Sequence, residues 1–153
     1  TGALFEACGE LAALSMHADE DFLRRARQFG SWIGLCFQIR DDIFDYYDDE
    51  AIGKPRGNDL AEGKLTLPLI YALKNGGDPE ALACAQRVKA LEATPEDRAF
   101  LIDYAKRNGG MAYAEQVMED YRRRALELLD GFSNTAVRDA LKTYVDFVIG
   151  RNV

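Results

Sequence analysis

The segment from Asp19 to Tyr47 constrains this chain most. It reads as one long helix, with Asp19 as its cap and Glu20 and Asp21 in the first turn, where carboxylates suit the positive end of the helix dipole. Its apolar residues, among them Trp32, Ile33, Cys36, Ile39, Ile43 and Tyr46, cover too much of the circumference for a helix lying on a surface. A helix apolar on most sides runs through the middle of a structure and needs neighbours around it. The flanking segments offer such neighbours, but 153 residues supply enough to cover only part of it.

Those flanking segments are helical too. Residues 2–17 carry Leu4, Phe5, Cys8, Leu11, Ala12 and Leu14 at spacings that predict one apolar face. Residues 49–64 hold three glycines and a proline and read as an ordered loop. Residues 65–74 predict a short, very apolar helix that tolerates Pro68 only in its first turn. Gly76 and Gly77 stop it. Asp78-Pro79-Glu80 restarts the chain as a cap followed by proline, and Thr94-Pro95-Glu96-Asp97 repeats the device for a helix to about Arg107. Asn108-Gly109-Gly110 predicts a left-handed end. Helices then follow at about 111–130 and 134–150, the last capped by Ser133 or Asn134. No run alternates as a strand would, and no repeat or long linker interrupts the chain. The expectation is a single all-α unit over residues 1–153.

Composition excludes several functions. A net charge of −7 lacks the basic face that nucleic-acid binding needs. No run reaches the roughly 18 apolar residues of a membrane span. Cys8, Cys36 and Cys84 are far apart and form no CxxC pair, which suits buried or free thiols in a reducing compartment. His17 stands alone among polar neighbours and reads as surface. Tyr71, Tyr104, Tyr113, Tyr121 and Tyr144 sit at helical positions and read as core or interface.

The chemistry concentrates in FQIRDDIFDYYDDE, residues 37–50, which places six acids between Asp41 and Glu50. At about 100° per residue, Asp45, Asp48, Gln38 and Gly34 all fall within about 60° of Asp41. They form a polar stripe, walled on one side by Ile33, Phe37 and Phe44, with Asp42 on its other shoulder. Carboxylates one turn apart repel, more so in a partly apolar cleft. A divalent cation removes that repulsion, and hard oxygen ligands suit Mg²⁺. Asp41, Asp42 and Asp45 are therefore candidate metal ligands, while Asp48, Asp49 and Glu50 read as the solvated end of the helix. A calcium loop does not fit, because the DxDxDG spacing is absent. Lys54 and Lys64, on the loop just beyond, are candidate point-charge partners for phosphate.

The stretch FQIRDDIFDYYDDEAIGKPRGNDLAEGKLTLPLIYAL closely resembles the second aspartate-rich region of the trans-isoprenyl diphosphate synthases. It has FQ, two residues, DDxxD, then GK, then D-x-x-E-G-K-x-T-L-P. Upstream, Thr1-Gly2-Ala3-Leu4-Phe5 resembles the family's Lys-Thr-x-x-Leu-Phe segment without its lysine, and Phe29-Gly30 and Leu35 fall at the family spacing. The likeness is to the long-chain, octaprenyl-like branch. It is strong over residues 1–74 and weaker, as a run of helices, over 75–153.

The resemblance implies the C-terminal portion of an antiparallel helix bundle of the isoprenoid synthase type. It also implies a prenyltransferase of isoprenoid biosynthesis, in which an allylic diphosphate ionises with the help of Mg²⁺, or Mn²⁺, and condenses with isopentenyl diphosphate. Carried onto this sequence, Asp41 and Asp45 bind the metal with Asp42 second to them, and Lys54 and Lys64 hold the allylic diphosphate. Gln38 and Thr1 place oxygens near the developing cation, and Phe37 packs by the homoallylic substrate. A cytoplasmic homodimer is implied for the whole protein, and Arg151 is a minor candidate for a diphosphate contact. The family's first DDxxD motif and its basic residues for isopentenyl diphosphate have no counterpart here. The expectation is thus the C-terminal half of a larger synthase domain, arising by truncation or proteolysis and inactive alone. Two alternatives stand beside it. One is a non-catalytic subunit of a heteromeric prenyl synthase. The other is a class I terpene cyclase, whose Asn/Ser/Glu metal triad is not found.

Overall fold

A computed structural model of the chain describes residues 1–47 and 56–150. Among them are eight helices and no strand. They are α1 Gly2–Ser15, α2 Glu20–Phe44, α3 Asn58–Ala61, α4 Leu67–Gly76, α5 Pro79–Lys89, α6 Pro95–Arg107, α7 Gly110–Leu129 and α8 Thr135–Gly150. The all-α expectation holds. The chain divides into two compact units, Thr1–Arg40 with Val117–Val153, and Asp41–Gln116, so α2 and α7 each contribute to both.

The first unit is built on a close approach of α1 to α2. Ala26, Gly30 and Gly34 stand at four-residue intervals on α2, and Gly2 and Gly9 on α1. A Cβ on Gly34 would lie 2.8 Å from the Gly2 Cα, and one on Gly30 would lie 2.8 Å from the Phe5 carbonyl carbon. One on Gly9 would press on the Ala26 carbonyl. Only glycine lets two helix backbones come this near. This contact decides which face of α1 is inside. Phe5 and Ala13 turn inward, whereas Leu4, Leu11 and Leu14 are exposed, at 68, 64 and 50 %. The apolar spacing alone had put all three leucines on the buried face. Ile33, Ala125, Val145 and Val148 form the core, with Phe29, Trp32, Phe37 and Leu126 packed against it. The Cys36 thiol is buried there, donates to the Met118 carbonyl at 3.4 Å, and is pushed up to about 12 by burial.

Helix punctuation recurs along the whole described chain, in both units. Asp19 opens α2 through a 2.8 Å bond from the Phe22 N–H, and Pro68 lies in the first turn of α4. Gly77 ends α4 at φ 64°. Asp78 accepts from the Glu80 N–H at 2.9 Å with Pro79 following, and Thr94 with Asp97 forms a reciprocal capping box at the start of α6. Asn134, rather than Ser133, caps α8, accepting from Val137 N–H at 3.2 Å. Leu69, Ala72, Ala81, Val88, Leu101 and Tyr104 bury between α4, α5 and α6, and Tyr71 stacks on Tyr113 at 4.1 Å. Tyr144 is exposed. The loop expected over 49–64 contains a helical turn, α3, and residues 48–55 lie outside the described residues.

Candidate metal and diphosphate site

The last turn of α2 carries Asp41 and Asp42, and Asp45 follows directly after its end at Phe44, short of the helix to Tyr47 that the sequence predicts. Ile39, Ile43 and Tyr46 point inward and are buried, which turns Asp41 outward and leaves Asp42 and Asp45 half-buried. Tyr46 fixes this end of the helix: its hydroxyl lies 2.9 Å from Thr66 Oγ1, and burial pushes it up to about 12.

Asp45 sits in the turn just past the helix. Its Oδ1 accepts the Asn58 N–H at 2.9 Å and its Oδ2 the Asp59 N–H at 3.0 Å, while its carbonyl accepts the Gly57 N–H at 2.8 Å. The end of α2 thus holds the start of α3. Gly57, which caps α3, is buried and at φ 80°, where an added Cβ would meet Ile102 at 3.0 Å. Burial raises the pKa of Asp45 from its ordinary value, against the backbone N–H groups that lower it, and nearby Asp59 raises it further. Asp45 makes no ion pair among the described residues.

The second half of the motif returns to the same place. Gly63, at φ 77°, lies where a Cβ would meet Leu91 at 2.8 Å, and this turn delivers Lys64. The Lys64 N–H donates to the Asp59 carbonyl at 2.8 Å. Its ammonium lies 2.5 Å from Glu62 Oε2 and 3.9 Å from Asp59 Oδ1. Glu62 above all, and Asp59 and Asp42 more weakly, raise the Lys64 pKa, so it stays charged. Asp59 belongs to this cluster and received no role from the sequence. Its position as the first residue of D-x-x-E-G-K was the available signal.

The other candidates lie in the first unit or outside the described residues. Thr1 caps α1, its carbonyl accepting from Leu4 and Phe5, and the adjoining Gly2 rests on Gly34, one turn before the exposed Gln38. Gly34 therefore leaves the polar stripe and serves the helix contact. Phe37 is half-buried, its ring 5.5 Å from that of Phe5 and packed on the core. Lys54 and Arg151 lie outside the described residues.

Among the described residues, no three His, Cys, Asp or Glu side chains gather closely enough to hold an ion. What α2 and α3 supply is a partial set of hard oxygen donors with a half-buried carboxylate short of positive charge. That donor chemistry suits Mg²⁺, which takes one or two protein carboxylates and completes its shell with water and phosphate oxygens.

The model of one protein family, the polyprenyl synthetases, matches residues 1–103, more than half of the chain. The chain belongs to the polyprenyl synthetase family. Among curated members, heptaprenyl diphosphate synthase component 2 of Geobacillus stearothermophilus is 34 % identical over 143 residues, which are 93 % of this chain and 43 % of that one. Among solved structures, a geranylgeranyl pyrophosphate synthase from Bacteroides thetaiotaomicron superposes with a TM-score of 0.93 at 48 % identity, over 99 % of this chain and 50 % of the other. A polyprenyl synthase from Caulobacter crescentus, complexed with calcium and isoprenyl diphosphate, superposes with a TM-score of 0.83 at 32 % identity, over 98 and 46 %. This chain spans about half the length of the relatives it matches, and the all-α isoprenoid synthase fold is shared with them.

Proposed function

We propose that this chain is the C-terminal half of a prenyl-elongating synthase, and that the α2–α3 corner is half of its metal-diphosphate site. The observation that carries the reading is Asp45: half-buried, tied to α3, raised in pKa and without an ion-pair partner among the described residues. Bound there, Mg²⁺ or Mn²⁺ would supply the positive charge that favours departure of diphosphate from an allylic substrate. Asp41 and Asp45 would be its ligands, with Asp42 beside them.

Lys64 is held charged by Glu62 and would exchange that exposed partner for a phosphate oxygen. Lys54 would join it. Gln38 and Thr1 would turn oxygens toward the carbon that gains positive charge, and Phe37 would present a ring edge to isopentenyl diphosphate. The opposing carboxylates come from outside these residues, so the 153 residues alone would not turn over. No described helix is long and apolar enough to cross a membrane, and the whole protein is read as a cytoplasmic homodimer.

The test is to supply the whole protein with farnesyl and isopentenyl diphosphates and Mg²⁺. Products longer by five-carbon units are expected, and their absence at all metal concentrations would refute the reading. A second reading has support in the relatives named as component 2 of heptaprenyl synthases: the chain would work as a subunit beside a different polypeptide. Activity appearing only when a second gene product is added would favour it.

A further inference from the structure

Tyr46 stands directly after Asp45, in the turn just past α2, and turns inward where Asp45 does not. Its side chain is 2 % exposed, while Asp45 is half-buried. A phenol buried this deeply needs a partner for its hydroxyl. Tyr46 finds one at the start of α4, where its oxygen lies 2.9 Å from Thr66 Oγ1. Burial raises the pKa of that hydroxyl, and Thr66 and the Leu69 backbone act against the rise.

Thr66 is the N-cap of α4, where a threonine hydroxyl ordinarily accepts a backbone N–H of its own first turn. Here the side chain caps none of them, and Pro68 in that turn has no N–H to give. The hydroxyl meets Tyr46 instead. It thus serves a tie between the end of α2 and the start of α4.

The consequence falls on Lys64, two residues before Thr66. The segment from α3 to α4 is fastened at both ends to neighbouring residues of one turn. Asp45 accepts the Asn58 and Asp59 N–H groups at its start, and Tyr46 holds Thr66 at its end. Lys64 lies between the two ties, and its own N–H donates to the Asp59 carbonyl. Its side chain is exposed and flexible, so the backbone beneath it sets where the ammonium can reach. Asp45 and Tyr46 together therefore set the spacing between the Asp45 carboxylate and the Lys64 ammonium.

We propose that Tyr46, through its bond to Thr66, is a positioning residue that holds Lys64 within reach of a phosphate group bound by a metal at Asp45. The inference rests on the reading of the α2–α3 corner as a metal-diphosphate site. Tyr46 acts through Lys64 and not on the substrate.

The experiment measures binding of inorganic diphosphate to the whole protein in Mg²⁺ by calorimetry, with the thermal midpoint in chelator recorded alongside. Tyr46→Phe keeps the ring and removes the hydroxyl, and should weaken binding on the order of 5-fold, the effect of one hydrogen bond. Thr66→Val should do the same from the partner side, and serves if Tyr46→Phe folds poorly. Thr66→Ser keeps the hydroxyl and should bind as wild type does. Lys64→Ala should weaken binding more, and Tyr46→Phe added to it should change nothing further, because the phenol acts through that lysine. Wild-type binding in both Tyr46→Phe and Thr66→Val, where Lys64→Ala binds weakly, would overturn this proposal alone. So would full multiplication of the two losses in the double variant, which would make Tyr46 a general support of the fold. Unchanged binding in Lys64→Ala would overturn the site reading and this inference with it.

Discussion

Asp45 and Asp97 hold similar posts and meet opposite fates. Each accepts backbone N–H groups at a helix start, Asp45 from Asn58 and Asp59 at α3, Asp97 from Thr94 at α6. Asp97 also has a cation. Arg87 donates Nε to its Oδ2 at 2.9 Å and Nη2 to its Oδ1 at 2.5 Å, and Cys84 adds a weak thiol contact at 3.5 Å. These donors, Arg87 foremost, hold its carboxyl far below the usual range. Asp45 has the amides without the arginine, and burial drives its pKa the other way. A carboxylate whose charge is matched within the fold is a structural part. One left short of positive charge by its surroundings is where an outside cation gains most.

The contrast can be broken in several ways. The largest effect on folding should come from Asp45→Ala, which frees two amides at α3 and should cost about 1–2 kcal/mol in chelator, read by urea unfolding. No loss would mean that the α2–α3 hold contributes nothing. Thr94→Ala removes the reciprocal half of the α6 cap and should cost about 1 kcal/mol by the same measurement.

The smallest effects are the pH slopes, and they should have opposite signs. The pKa of Asp97 is depressed by folding, so its stabilisation is full above the unfolded value of about 3.9 and is lost as pH falls through the lower folded value. The pKa of Asp45 is raised, so its contribution is present below about 3.9 and is lost as pH rises through the higher folded value. Thermal midpoints of wild type minus Asp97→Asn, and of wild type minus Asp45→Asn, should therefore diverge between acid and neutral pH. Added Mg²⁺ should cancel the Asp45 slope and leave the Asp97 slope unchanged. Parallel slopes would erase the distinction.

Local chemistry carried most of the helix boundaries. Asp78-Pro79, Thr94-Pro95 and Asn108-Gly109 act within a few residues of where they stand, so their capping could be read without knowing what packs above them. The buried face of α2 was legible for the same reason, since Ile39, Ile43 and Tyr46 follow helical spacing. Faces chosen by another helix were not legible. Leu4, Leu11 and Leu14 have the right spacing, yet Gly9 and Gly34 let a different side of α1 come closest.

At the candidate site the sequence identified the residue types and their order but missed their ties. That Asp45 would accept from Asn58 and Asp59 depends on a turn at Gly57 twelve residues later in the chain. Asp59 went unassigned because only the folded turn brings it beside Lys64. The turn α3 went unseen because four residues are too few for any periodicity.

The central claim is that the acidic end of α2 serves chemistry while its glycine-lined middle serves packing. Asp41 tests it best, because its side chain is turned outward. In the whole protein, Asp41→Ala should lower Mg²⁺-dependent incorporation of isopentenyl diphosphate on the order of 10²-fold or more while leaving the thermal midpoint in chelator unchanged. Turnover within a few-fold of wild type, at an unchanged midpoint, would contradict the account.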